Sequence, residues 1–92
     1  MIQFLIHEAS DTVGIATVDI SAGDKALGLF MDSQKKIKID VLQDIPLGHK
    51  IALKEHKVDD SVLKYGHDIG RVVADIKKGE HVHTHNLKTR RW

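Results

Sequence analysis

The chain repeats one short string three times, and that string dictates where an extended backbone has to turn. The copies are Asp19-Ile20-Ser21-Ala22-Gly23-Asp24-Lys25-Ala26, Asp44-Ile45-Pro46-Leu47-Gly48-His49-Lys50-Ile51 and Asp75-Ile76-Lys77-Lys78-Gly79-Glu80-His81-Val82, each reading Asp-Ile-x-x-Gly-x-x-apolar. Glycine at the fifth position supplies a positive φ at little steric cost, and the flanking apolar residues anchor the turn at both ends. The string therefore predicts three strand–turn–strand corners. Unequal spacing between the copies argues against a solenoid, which needs a fixed period.

Strand signals lie between the corners. The clearest is Lys36-Ile37-Lys38-Ile39-Asp40-Val41, whose strict alternation turns Ile37, Ile39 and Val41 toward a core. Further strands are expected at 3–6, 12–18, 26–31, 51–53, 61–64 and 81–87. No run sustains a helical period, although 68–74 has room for a single turn, and Tyr65-Gly66-His67-Asp68-Ile69-Gly70 reads as a glycine-flanked connection. The expectation is a mostly-β fold of short strands and tight turns. With 92 residues there is room for one small domain. Residues 1–87 are assigned to it, and 88–92 (Lys88-Thr89-Arg90-Arg91-Trp92) form a basic C-terminal tail. That tail is either a solvated terminus or a docking segment, since Arg and Trp are enriched at interface hot spots.

Composition removes several classes of function. The chain has no cysteine, so disulfides, iron–sulfur clusters and thiolate zinc sites are excluded, leaving imidazole and carboxylate chemistry for any metal. The formal charge is +1 with both signs interspersed, and the aromatics Phe4, Phe30, Tyr65 and Trp92 are scattered, so no nucleic-acid surface is expected. The N-terminal run Met1-Ile2-Gln3-Phe4-Leu5-Ile6-His7-Glu8 lacks a basic region and a long apolar core. Neither a signal peptide nor a membrane span is expected, and the chain reads as soluble, unprocessed and cytoplasmic.

Near the C-terminus stands Gly79-Glu80-His81-Val82-His83-Thr84-His85-Asn86-Leu87, holding three of the seven histidines. In a straight strand His81, His83 and His85 share a face at roughly 7 Å intervals, which places the outer two about 13 Å apart. A metal–nitrogen bond is only about 2 Å long, so the string would give two ligands to one ion rather than three. The others would come from elsewhere in the chain, from water or from substrate.

Four ordered blocks resemble the small N-terminal SAF domain of the altronate and galactarate dehydratase family. They are Ile6-His7 with Asp11-Thr12-Val13-Gly14-Ile15-Ala16, then Asp44-Ile45-Pro46-Leu47-Gly48-His49-Lys50-Ile51-Ala52-Leu53, then Lys64-Tyr65-Gly66 with Ile69-Gly70, and finally Gly79-Glu80-His81-Val82-His83-Thr84-His85-Asn86. The His-Val-His-x-His-Asn ending looks like the altronate dehydratase branch. The run Asn86-Leu87-Lys88-Thr89-Arg90-Arg91-Trp92 resembles the small subunit of a related two-subunit enzyme, sulfolactate sulfo-lyase. His67-Asp68 departs from the family's usual pattern, and no role is carried over to His67.

The resemblance implies a small β-clip, SAF-like domain and a lyase subunit that completes the active site of a large catalytic subunit. It implies Fe²⁺ or Mn²⁺ dependence and a hydroxy-acid substrate, with elimination of water from a sugar acid as the main expectation and elimination of sulfite as the alternative. It leaves homo-oligomer formation open. Such a reaction removes a weakly acidic carbon proton and expels a poor leaving group, and histidine serves as metal ligand or acid–base group. On this reading His81, His83 and His85 are the candidate metal ligands, used as His83 with His85 or His81 with His83, joined by His49. Lys50 is a candidate for gripping a substrate carboxylate, and His49 and Lys50 are the candidate catalytic pair. Each has a plainer alternative: a polar strand face for the triplet, a turn-capping role for His49, a solvated lysine for Lys50. Tyr65 is expected to be a core or interface aromatic, His7 a ligand or surface residue, and His56 a solvated residue in Lys54-Glu55-His56-Lys57. A non-catalytic ligand-binding or partner-positioning module, and free metal storage, are the other two readings.

Overall fold

In the computed structural model the described residues are 1–64 and 67–88; Tyr65, Gly66 and the tail from Thr89 to Trp92, with the roles expected for them, lie outside that set. The described residues form nine strands: β1 (Phe4–Ile6), β2 (Val13–Ala16), β3 (Lys25–Phe30), β4 (Lys36–Asp40), β5 (Lys50–Ala52), β6 (Ser61–Lys64), β7 (His67–Val72), β8 (His81–Val82) and β9 (Leu87–Lys88). Six make one sheet in the order β4-β3-β1-β2-β5-β8, and three make a second in the order β6-β7-β9. Only β1 and β3 pair in parallel; the other pairs are antiparallel. The mostly-β class expected from the alternation is thus observed, and among the described residues no helix is long and apolar enough to cross a membrane.

The corners organise this topology. Gly23, Gly48 and Gly79 have φ of 92°, 84° and 88°, as the repeat predicts. A fourth corner was not anticipated. It is Glu55-His56-Lys57-Val58-Asp59-Asp60, with Asp59 at φ 75° in the glycine position, a conformation that Asp tolerates better than most residues. In all four the sixth amide donates to the third carbonyl: Asp24 to Ser21, His49 to Pro46, Asp60 to Lys57 and Glu80 to Lys77, at 2.9–3.1 Å. The corners also pair. Ile20 and Ile45 exchange main-chain hydrogen bonds at 2.9 and 2.8 Å, and His56 and Ile76 do so at 2.8 Å each. Carboxylates reinforce the pairs, since Leu47 N donates to Asp19, Ala22 N to Asp44 and Val58 N to Asp75.

Two cores result. Phe4, Ile6, Ala16, Ile20, Ala26, Ile39, Val41, Ile45 and Ile51 fill one side of the large sheet. Val13, Ala52, Val62, Val72, Ile76 and Val82 fill the space between the large sheet and the small one. The ring of Phe4 lies where the neighbouring strands have no side chains: a Cβ on Gly28 would stand 2.2 Å from it and one on Gly14 2.8 Å.

Several expectations are corrected. The segment 68–74 is not a helical turn, nor is 67–70 a loose connection, because β7 takes ladder hydrogen bonds from β6 and β9 on both sides, which an isolated turn cannot match. The strand expected at 81–87 stops at Val82 and resumes at Leu87. His56 is not solvated: it is 1% exposed, because it occupies the corner position filled by isoleucine in the three readable copies. Among the described residues neither of its ring nitrogens makes a well-formed hydrogen bond, although the Lys54 main chain approaches the ring. Lys88, assigned to the tail, belongs to β9.

Two stability outcomes follow. Gly23→Ala meets no atom within 4 Å and costs about 1–2 kcal/mol for the left-handed backbone. Gly79→Ala adds a Cβ 2.1 Å from the Asp40 carbonyl oxygen, so its urea midpoint falls well below that of Gly23→Ala. Burial holds the His56 pKa below 6.5; the Lys54 main chain offsets part of this, the Lys54 charge adds to it and Asp60 opposes it. A group depressed on folding binds more protons when unfolded, so its contribution is complete above pH 6.5 and is lost as pH falls below that value. His56→Ile therefore gives a chain whose urea midpoint drops less between pH 7 and pH 5 than that of the unsubstituted protein.

Candidate metal centre

The second corner differs from its siblings in one respect that shapes the site. In the other three corners a carboxylate at the sixth position accepts the third residue's amide: Asp24 from Ser21, Asp60 from Lys57 and Glu80 from Lys77. In the second corner the third residue is Pro46, which has no N–H to satisfy. The sixth residue is then relieved of that role, and it is His49. Its ring turns instead to the C-terminal histidines, so the turn-capping alternative for His49 does not hold.

Those histidines are brought round by a sharp turn. After Val82 the amides of Asn86 and Leu87 both donate to the His83 carbonyl, at 3.1 and 2.9 Å. Asn86, 7% exposed, closes the turn from inside: its Oδ1 accepts from His83 N at 2.9 Å, and its Nδ2 donates to the His81 carbonyl at 2.8 Å. Gln43 Oε1 accepts from His81 N at 2.9 Å. An asparagine that satisfies local backbone groups in this way competes with a ladder, which is why the alternation of histidines does not continue as a strand.

The outcome is a cluster of different membership from the string. His49 Nδ1 and His81 Nε2 lie 2.8 Å apart, one donating and the other accepting. The rings of His49 and His83 stack at 4.0 Å between centroids, those of His49 and His81 at 5.0 Å, and those of His81 and His83 at 5.6 Å. One nitrogen from each of His49, His81 and His83 lies within 4.8 Å of the other two. His85 is exposed and stands outside this set, with its ring tilted against His81 at 5.2 Å. The structure thus joins His49 to His81 and His83, and leaves His85 at the rim.

Three imidazole nitrogens suit a divalent transition metal. At bonds of about 2.1 Å, ligand nitrogens sit about 3.0–3.4 Å apart, so the His49 and His81 nitrogens, in hydrogen-bond contact at 2.8 Å, would have to open slightly and the third nitrogen to close in. Lone pairs lie in the ring planes, and the His49 and His83 planes are inclined by only 19°, so a side-chain rotation is needed to aim them at one ion. The protonation state is favourable. Burial, followed by the charges of His49, His85 and His83, holds the His81 pKa below its ordinary value. Burial, followed by His49, Lys50 and His85, does the same for His83. Both shifts favour the neutral ring, the form that ligates.

Lys50 leaves the strand on the other side. The register pairs Lys50 with Val82 and Ile51 with His81, and alternate residues face opposite ways. Lys50 is half-buried and lines a cavity with Lys64, His7 and Asp11. His7 is exposed at the rim of the same cavity, and His67 is exposed on β7. Asn86 is the residue whose importance sequence reasoning missed; its position at the close of the histidine string was the available signal.

The chain was compared with known proteins. The family model described as the altronate/galactarate dehydratase SAF domain matches residues 2–90. The alpha subunit of (2R)-sulfolactate sulfo-lyase from Chromohalobacter salexigens is 46% identical over 92 residues, covering 99% of this chain and 98% of that protein. The corresponding subunit from Paracoccus pantotrophus is 61% identical over 49 residues, which is 53% of this chain and 73% of that protein. The altronate dehydratase of Bacillus subtilis is 42% identical over 91 residues, spanning 97% of this chain but 17% of that enzyme. With nearly every residue matched, the chain belongs to the altronate/galactarate dehydratase SAF domain family.

Proposed function

We propose that this chain is the small subunit of a metal-dependent lyase that eliminates sulfite from a sulfonated hydroxy acid of the (2R)-sulfolactate type. The observation that carries this reading is the degree of similarity. The chain is 46% identical to one sulfolactate sulfo-lyase alpha subunit over 92 residues and 61% identical to another over 49, against 42% over 91 residues for an altronate dehydratase. Dehydration of a sugar acid, the main expectation from sequence, becomes the second reading. A partner subunit is part of the proposal, because the relative's own name makes it one subunit of an enzyme.

The reaction would take a proton from the carbon bearing the hydroxyl and carboxylate, form a carbon–carbon double bond and release sulfite from the neighbouring carbon, leaving an enol that tautomerises to a 2-oxo acid. His49, His81 and His83 would hold Fe²⁺ or Mn²⁺, which when bound polarises the substrate's oxygens and so acidifies that carbon proton. Asn86 would act as a positioning residue, since it fixes the main chain on either side of Val82. Lys50 would offer its ammonium to an acid group of the substrate.

The decisive experiment assays sulfite release from racemic 3-sulfolactate by the chain assembled with its large partner. Chelation should abolish the activity and Fe²⁺ or Mn²⁺ should restore it, with His49→Ala and His83→Ala each slower by a hundredfold or more, on the order of a lost metal contact. Full activity in both variants would sink the metal assignment; water loss from a sugar acid without sulfite loss would select the second reading. Asn86→Ala should weaken Mn²⁺ binding about tenfold, measured by titration. Protons compete with metal for these rings, and the lowered His81 and His83 pKa values move that competition toward lower pH. Mn²⁺ affinity, measured by titration between pH 8 and pH 5, should accordingly fall as the solution is acidified.

A further inference from the structure

Beside the histidine cluster lies a cavity of about 370 Å³, lined by Leu5, His7, Asp11, Val13, Ile15, Met31, Gly48, Lys50 and Lys64. Its walls are of two kinds. Leu5, Ile15 and Lys50 stand in one register row across β1, β2 and β5, so they share a sheet face, and with Val13 and Met31 they supply an apolar floor. Above it, Lys50 comes from the strand following the second corner and Lys64 from the end of the second sheet. Residues from three separate parts of the chain therefore meet here, with two ammonium groups in one half-enclosed space.

We propose that this cavity is a subsite for a small organic anion, with Lys50 and Lys64 receiving its carboxylate or sulfonate and the apolar floor receiving its carbon atoms. The reading of the chain as a hydroxy-acid lyase subunit supplies the choice of probe, and the inference rests on it to that extent. The charge balance supports it. Among the described lining residues there are two ammonium groups, Lys50 and Lys64, and one carboxylate, Asp11, a balance that suits an acidic ligand. Lys50 is held below its ordinary pKa first by burial and then by Lys64. An anion between the two ammonium groups removes that repulsion.

The site adjoins the histidines without being part of them. Lys50 sits on the far side of the strand from His81, yet its charge reaches His83. A ligand in the cavity is thus next to the cluster, with the chain at Gly48-His49-Lys50 supplying one group to each.

The test uses the full chain in chelator, followed by calorimetry and amide chemical shifts, with 3-sulfolactate and malate as probes, glycerol as a neutral control and sulfate as a bare oxyanion. Saturable binding of both organic acids is expected, with shifts at Leu5, Ile15, Lys50 and Lys64, none with glycerol, and weaker binding of sulfate, which makes no use of the floor. Lys50→Gln and Lys64→Gln should each weaken malate about tenfold or more, the usual effect of losing one charge-assisted hydrogen bond. Lys50→Arg should retain binding, and stands in if Lys50→Gln does not fold. His83→Ala should leave it unchanged. Absence of saturable binding, or binding that survives both glutamine substitutions together, overturns the subsite. A parallel Mn²⁺ titration separates the two ideas: malate binding without Mn²⁺ binding retires the metal centre alone, and Mn²⁺ binding without malate binding retires the subsite alone.

Discussion

The left-handed residue at each corner is the constraint on which the rest of this structure depends. A positive φ at Gly23, Gly48, Asp59 and Gly79 lets the fifth amide turn inward and donate to a strand carbonyl, to Val41, Ala16, Val72 and Ala52 respectively. That one bond sets where each strand ends. The second residue of every corner is then driven into the interior, and pairing of corners two by two places Ile20 against Ile45 and His56 against Ile76. Short strands of two to six residues are weak alone. Here they are held at their ends, by corners that are hydrogen-bonded to one another.

The candidate centre is a local exception to that rule. Three corners tie up the sixth side chain on their own backbone, but Pro46 removes the donor and frees His49. The adjoining β8 is the other exception, cut to two residues by Asn86. Both departures lie at the β5–β8 edge of the large sheet, and together they place His49, His81 and His83 within reach of one another. Partial burial and mutual repulsion lower the His81 and His83 pKa values and so favour their neutral forms.

Most of the fold could be read from the sequence because its signals are local. The corner glycines, the alternation at Lys36–Asp40 and the strands β1 to β6 follow from periods of two and from positions that need φ above zero. What escaped notice depends on contacts distant in sequence. The fourth corner has no glycine and carries histidine for isoleucine, so only its pairing with Ile76 reveals it. β7 looks like a loop until β6 and β9 flank it. At the site, the two-ligand limit inferred for a straight His81–His85 strand pointed to a ligand from elsewhere, and His49 was named as that residue. The choice between His81 and His85 was not readable, because it turns on the side chain of Asn86 closing the loop.

The composition of the cluster argues that it is incomplete in itself. Three imidazoles carry no negative charge, and among the described residues no carboxylate joins the set. An iron or manganese ion held only by neutral ligands keeps its full charge, which favours anionic oxygen in the remaining positions. A bidentate hydroxy acid answers that need, and so does a carboxylate from a second subunit. Of the cluster, His81 lies on the two-residue edge strand β8, with His83 just beyond it. Under the proposed function, the neutral ligands and the cavity's cations would come from this chain and the negative groups from elsewhere. Such a division, with nitrogen and ammonium from one chain and acid groups from substrate and partner, would give a physical reason for a site between two subunits.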